Sequence, residues 1–365
     1  MNRRQWLIGA GATAALGGGA TWLTLSGMGT PSDYRASMAP LRAPLADPAR
    51  QLDLVRYATL APNGHNTQPW RFRLSDKRIE ILPDFERRTP VVDPDDHHLF
   101  VSLGAAAENL SLASAARGRP GDLRFDSADK GAIIFDFDRG PALRSALFDA
   151  IPQRQSTRAD YDGRAVSTAD LDTLAKAAAV DGVDLVLVTD GARIDQLRDL
   201  VVAGNSTQMA DPAFVRELKS WLRFNPHEAL RTGDGLYSVA SGNPALPDWL
   251  GPYAFDLMST AGSQNESYAR QILSSSGIAV FVGAGETPAD WVAVGRACQR
   301  FALQATALGM KHAFINQPVE VPGLRPKLAA LINAPGRRPD IVMRFGYGPA
   351  MPFAPRRPVA SVVIT

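Results

Sequence analysis

Ala61-Pro62-Asn63-Gly64-His65-Asn66-Thr67-Gln68-Pro69-Trp70, followed at once by Arg71-Phe72-Arg73-Leu74, is the stretch from which the rest of the chain can be read. Pro62, Asn63 and Gly64 suit a tight turn, because proline presets φ while asparagine and glycine accept turn geometries. Asn66 and Gln68 each offer a carbonyl and an amide that could meet the edge of a planar, hydrogen-bonding ligand. Pro69 and Trp70 stiffen the exit, and the next four residues alternate as a strand does. The reading is a polar loop leading onto a sheet; taken alone, an Asn/Gly turn before a strand accounts for the same residues.

Outward from that loop, one pattern occurs twice. Leu103-Gly104-Ala105-Ala106-Ala107-Glu108-Asn109-Leu110-Ser111-Leu112 runs on to Gly118, and Val294-Gly295-Arg296-Ala297-Cys298-Gln299-Arg300-Phe301-Ala302-Leu303 runs on to Gly309. Both predict a helix with small faces and a glycine stop. A polar segment and then a strand follow each, Ala132-Ile133-Ile134-Phe135-Asp136-Phe137 and Ile341-Val342-Met343-Arg344-Phe345-Gly346. Either helix alone is a generic alanine-rich core helix, but the repeated order argues for duplication of an α+β unit.

At 365 residues the chain can bury one large core or two smaller ones. A formal charge of +2 and 21% charged residues provide no basic stripe for nucleic acid. The single cysteine, Cys298, rules out an internal disulfide, a cysteine zinc site and a Cys-x-x-Cys redox pair. Its helical setting predicts a small buried apolar residue.

Arg3 and Arg4 stand directly before a mildly apolar Gly/Ala-rich stretch reaching about Gly29, the arrangement of a twin-arginine export signal or of an uncleaved membrane tether. Export would place the protein in the periplasm or on the outer face of the cytoplasmic membrane. Gly9-Ala10-Gly11 is no dinucleotide loop, for no strand precedes it and no acidic residue follows at the required distance. Residues 1–30 are therefore read as signal or anchor and 31–49 as an extended Pro/Ala-rich linker. Residues 50–145 form a first half, 146–350 a second, and 351–365 a crossover tail.

The decapeptide at 61–70, with the helix-to-strand order, resembles the nitroreductase family, whose subunits bind FMN where two of them meet. The duplication resembles the fused, dormancy-linked nitroreductase-like flavoproteins of actinobacteria. That resemblance implies an α+β fold in which two related halves, each a mainly antiparallel sheet flanked by helices, make a pseudo-dimer within a monomer. Arg154-Gln155-Ser156-Thr157-Arg158 resembles the family's phosphate grip, with Arg154, Ser156 and Arg158 matching and Gln155 departing. Arg356 and Arg357, in Pro355-Arg356-Arg357-Pro358-Val359, resemble its closing basic motif.

Only the second half carries the arginines and only the first carries the loop, so the resemblance implies one composite site. A single FMN would place its phosphate on Arg154, Ser156, Arg158 and Arg356 or Arg357. Its ring would lie under Pro62, Asn63, Gly64 and Asn66, with Gln68 beside them. The implied activity is reduction of nitroaromatic or quinone-like acceptors, with NAD(P)H or another donor, through the flavin's own chemistry and without a catalytic side chain or metal. The alternatives are a protein that holds flavin with little turnover, and a tethered structural protein with a degenerate pocket.

Four smaller readings complete the chain. The amphipathic stretch 217–224 and the polar residues after it fit a lid over the flavin or a packing arm between the halves. His97 and His98, beside Asp93, Asp95 and Asp96, read as a solvated turn before a helix rather than a metal shell, and His65 as a surface histidine or as one that reaches the ring or a substrate. The loosely alternating residues 359–365 read as an edge strand that crosses to the first half.

Overall fold

A computed structural model describes residues 27–364. The twin-arginine pair and most of the apolar stretch lie outside the described residues. The fold is α+β, with two main sheets of matching design. The first is made of β1 (Trp70–Ser75), β2 (Arg78–Pro83), β3 (Gly121–Asp126) and β4 (Ala132–Phe137), in the order β1-β2-β4-β3. The second contains β5 (Val183–Val188), β8 (Gly277–Gly283), β9 (Lys311–Phe314) and β10 (Ile341–Gly346), in the order β5-β8-β10-β9. Every one of these neighbours is antiparallel. A long helix stands between the second and third strands of each set, His97–Ala115 in the first and Pro288–Ala307 in the second. The remaining short strands are β6 (Leu222–Arg223) and β7 (Leu236–Tyr237), paired with each other, and β11 (Val363–Ile364), which adds parallel to β1 with Phe72 opposite Val363.

The two sheets bury different faces. On β2, Ile79 and Ile81 point inward while Arg78 and Glu80 point out and pair with Asp136 and Arg73 across the strands, the alternation of a one-sided sheet. In the second sheet, β8 and β10 are buried at every position. Helices Gly191–Ala210 and Arg325–Leu331 cover its outer face through Leu197, Val201 and Leu328.

The two long helices cross back to back, and the glycines of the repeated pattern set how close they come. A Cβ on Gly104 would lie 2.1 Å from the Val292 carbonyl oxygen, and one on Gly295 would lie 2.0 Å from that of Val101. The contacts are reciprocal, each glycine meeting the residue three positions before the other. Beside them, the buried Glu108 carboxylate accepts from Arg296 Nε at 2.9 Å and Arg300 Nη1 at 2.8 Å, and Gln299 donates to Asn109 Oδ1 at 2.6 Å.

Two features depart from the sequence reading. The linker is not extended throughout: Pro31–Met38 is a helix with Thr30 accepting from the Asp33 N–H. A threonine cap followed by proline at the first helical position favours that start, and Tyr34, 2% exposed, donates to the Phe353 carbonyl at 2.7 Å. Second, the halves differ in one connection. Where β1 and β2 are joined by a tight turn, β5 and β8 are separated by an excursion of helices and the β6/β7 pair. Among the described residues no helix is long and apolar enough to cross a membrane.

Candidate functional site

The loop at 61–70 is more buried than its polarity suggests. His65, Asn66 and Gln68 have φ of 46°, 54° and 54°, the left-handed region that costs a non-glycine residue roughly 1–3 kcal/mol and survives only where surroundings enforce it. The enforcement is visible. Asn63 Oδ1 accepts the Gln68 N–H at 2.8 Å. Asn66 donates to the carbonyls of Gly235 and Pro355, both at 3.0 Å, and accepts from Arg356 Nη1 at 2.8 Å. Gln68 donates to the Gly233 carbonyl at 2.8 Å and accepts the Arg357 N–H at 2.9 Å. Asn66 and Gln68 thus bind the loop to the excursion and to the tail, and neither faces a ligand space.

Pro62, Asn63, Gly64 and His65 do. They form one wall of a partly open cavity of about 550 Å³ between the halves. Val101 and Ala105 from the first long helix and Cys298 from the second add to the same lining. Cys298 is buried, which pushes its thiol up to about 12 and leaves it inert near neutrality. The excursion forms the roof, through Phe214, Leu222, Phe224, Phe255 and Tyr268. Stretch 217–224 is both cover and packing arm: Leu218 and Leu222 line the cavity, while the Glu217 carboxylate accepts the N–H groups of Val91 and Val92 in the first half.

Of the arginines read as a phosphate grip, Arg158 alone reaches this space, and it is the only arginine or lysine among the described lining residues. Its Nη1 lies 3.5 Å from Ser241 Oγ on the roof. The others point elsewhere. Arg154, 2% exposed, donates to the Leu60 carbonyl at 2.6 Å. Arg356 spends its guanidinium on the carbonyls of Thr59, Leu60, Ala61 and Pro355 and on Asn66. Arg357 donates to the Gln68 and Ser361 carbonyls. Ser156 makes a backbone bridge with His312.

Arg42, which the sequence reading left in the linker, joins this buried group by donating to the Pro152 carbonyl at 2.7 Å. Burial, and each guanidinium's neighbours, hold Arg42 well below its ordinary value and push Arg154 down to about 9. Burial also brings Arg356 down to about 10.

The two histidines on the wall are held neutral near pH 7. Burial depresses His65 and His98 to about 4 each, with Arg158 adding to the effect on His65 and His97 to that on His98. Glu320 is raised by burial, and its carboxylate lies 3.9 Å from His98 Nδ1 and accepts from Gln208 at 2.6 Å. Three lining groups, His65 Nδ1, His98 Nε2 and Gln317 Oε1, are buried without a hydrogen-bond partner.

The histidines at 97 and 98 are therefore not a solvated turn. Asp93 accepts the N–H groups of His98 and Leu99 at 3.0 Å and so caps the helix, and His97 Nε2 bonds Asp340 Oδ1 at 2.9 Å with both side chains 1% exposed. Asp93, His97 and His98 offer ligand atoms within 4.8 Å of one another, but the cap and the Asp340 bond already use two of the three side chains. His98, Gln208, Gln317 and Glu320 were not legible as site residues, because their partners come from distant segments. The left-handed His65 belongs to the wall rather than the surface.

No protein-family profile matches the chain. It is similar to a Mycobacterium tuberculosis protein named "Putative NAD(P)H nitroreductase", with 28% identity over 328 residues covering 85% of this chain and 90% of that one. A second protein of that organism, "Putative NAD(P)H nitroreductase acg", is 25% identical over 84% of this chain and 93% of its own length. A third, uncharacterized, is 26% identical over 85% and 91%. Among solved structures, the FMN-dependent nitroreductase NfnB from Mycobacterium smegmatis in complex with NADPH overlaps 56% of this chain and 87% of its own, at 16% identity and a TM-score of 0.38. That superposition is too loose to transfer any residue.

Proposed function

We propose that the protein is an FMN-binding oxidoreductase of the nitroreductase type, with one flavin in the cavity between the halves. The observation that carries this reading is the composite wall: Pro62, Asn63, Gly64 and His65 from the first half face Arg158 from the second across a single space. The fit is supported by polar atoms that lack partners, His65 Nδ1, His98 Nε2 and Gln317 Oε1, since buried polar groups are ordinarily satisfied. Two relatives that span most of this chain carry the name "Putative NAD(P)H nitroreductase".

Arg158 with Ser241 would meet the phosphate, whose charge calls for a guanidinium, and residues 62–65 would lie against the ring. Bound FMN would supply hydride and electron transfer. The chain's own residues position it, exclude water beneath the roof and keep the wall histidines uncharged. NAD(P)H is the proposed donor and a nitroaromatic or quinone-like molecule the acceptor. The matching strand order and reciprocal glycine contacts favour descent of the halves from one duplicated module, acting as a monomeric pseudo-dimer. The paired arginines ahead of the apolar stretch favour export by the twin-arginine route.

A second reading, flavin holding with little turnover, is favoured by the roof, which occurs on one half alone and covers part of the cavity. The full chain is purified and its visible spectrum recorded before NADPH and dithionite are added in separate anaerobic samples. Bleaching by NADPH is the expected result. Bleaching by dithionite alone favours the second reading, and a colourless protein that refuses added FMN overturns both. Arg158→Ala should weaken FMN binding by about 2 kcal/mol, roughly 30-fold in Kd, and unchanged affinity would remove the phosphate from this arginine.

A further inference from the structure

The roof helix Gly251–Met258 is apolar on both sides. Gly251, Ala254, Phe255 and Met258 line the cavity, and Gly251 lies so close to the Phe224 ring that a Cβ there would meet it at 2.2 Å. The opposite face carries Tyr253 and Leu257, 71% and 81% exposed, with Trp249, 65% exposed, in the turn just before the helix and Met258 at 66% on the border. Half of the exposed large hydrophobic residues among those described are gathered here. A concentrated exposed apolar patch marks an interaction surface.

The course of the chain indicates what covers it. Residues 5–29 are free of charged side chains and rich in apolar ones. The described structure begins beside the roof, where the Met28 carbonyl accepts the His227 N–H at 2.8 Å and Gly29 packs on Pro226. Pro226 follows Phe224 by two positions, and Phe224 is the ring against which Gly251 sits. The apolar stretch therefore enters the fold at Pro226 and His227, two to three positions from the ring that packs on the start of this helix.

We propose that the Trp249, Tyr253 and Leu257 face of the roof helix rests on the lipid bilayer that holds the N-terminal apolar stretch. This rests on the reading of that stretch as a membrane segment. Tryptophan and tyrosine are the residues enriched at the headgroup level, and a helix with leucine and aromatics on one face lies in that plane. The Asp256 carboxylate, the helix's own charge, is compensated by Lys219 at 2.8 Å. The tether would hold the face down, and the face would fix the orientation of the molecule, with the cavity roof against lipid.

The test uses the full chain in phosphatidylcholine/phosphatidylglycerol vesicles, with a spin label on Leu257→Cys and, as a control, on Leu143→Cys, which is 60% exposed elsewhere. Cys298, buried, does not compete for the label. The expected result is that the label at 257 collides with oxygen more, and with a water-soluble nickel complex several-fold less, than the label at 143. Equal nickel access at both positions in protein that floats with the vesicles keeps the tether and overturns the docked face. Protein that does not float overturns the membrane segment and the proposal together. Dipolar broadening between labels at 257, in detergent and vesicles alike, shows a second copy of the chain on this face and overturns the lipid assignment.

Discussion

Mild acid should destabilise this protein, and the buried histidines set by how much. Burial holds His65 and His98 at about 4, His97 at about 3 and His312 well below its ordinary value. In the unfolded chain each titrates near 6.5. A group depressed on folding contributes stability that is present above the unfolded value and lost as pH falls toward the folded one. Between pH 6.5 and 5.5 each histidine therefore costs about 1 kcal/mol, or about 4 kcal/mol for the four.

Asp93 and Asp340 work in the opposite sense, because burial raises both to about 6. Their stability is present at low pH and lost as pH rises through 6, so over the same interval they return a part of that loss, under about 1 kcal/mol each. Glu320 shifts in the same direction as the aspartates. The net loss is about 3 kcal/mol over one pH unit, a large part of the roughly 5–15 kcal/mol of a typical domain. Urea unfolding followed by far-ultraviolet circular dichroism at pH 7.5, 6.5 and 5.5, at constant ionic strength, measures it through the midpoint. A midpoint that stays level or rises between pH 6.5 and 5.5 would refute the burial argument, and His97→Asn should lessen the slope by one proton.

Three further perturbations test the packing. Gly104→Ala and Gly295→Ala each drive a methyl into a backbone carbonyl of the opposing helix, and each should cost about 3 kcal/mol or more by urea midpoint; a neutral alanine at both positions would mean the helices can part without loss. Gln68→Ala removes the bonds to Gly233 and Arg357 and should cost about 2–3 kcal/mol, with proteolysis beginning at the 61–70 loop or the tail. Cleavage that starts elsewhere would deny the tie. Glu108→Ala strands Arg296 and Arg300, which are part-exposed, so a loss of about 1–3 kcal/mol is expected, and high salt should not abolish it if the 3%-exposed carboxylate is the centre of the pair.

The α+β class, the two glycine-bearing helices and the sheet-leading loop were legible because each rests on a local pattern of about ten residues. Of the residues 359–365 read as an edge strand, Val363 and Ile364 pair with β1 in the first half, while Val359–Ser361 forms a short helical turn instead. What could not be read were destinations. Asn66 and Gln68 carry the right chemistry for a ligand, yet Gly233, Gly235 and Pro355 come from far along the chain to take their hydrogen bonds. Arg154 and Arg356 match a basic motif, but a motif does not show that backbone carbonyls at 59–61 lie within reach. His97 looked solvated because Asp340, which buries it, lies in the other half.

The short pairing of Val363 and Ile364 with β1 also bears on synthesis. A nascent polypeptide presents the bare edge of β1 early and must keep it from foreign strands until residues 363–364 have emerged from the ribosome. Removing Val363 and Ile364 would leave that edge open to neighbouring molecules.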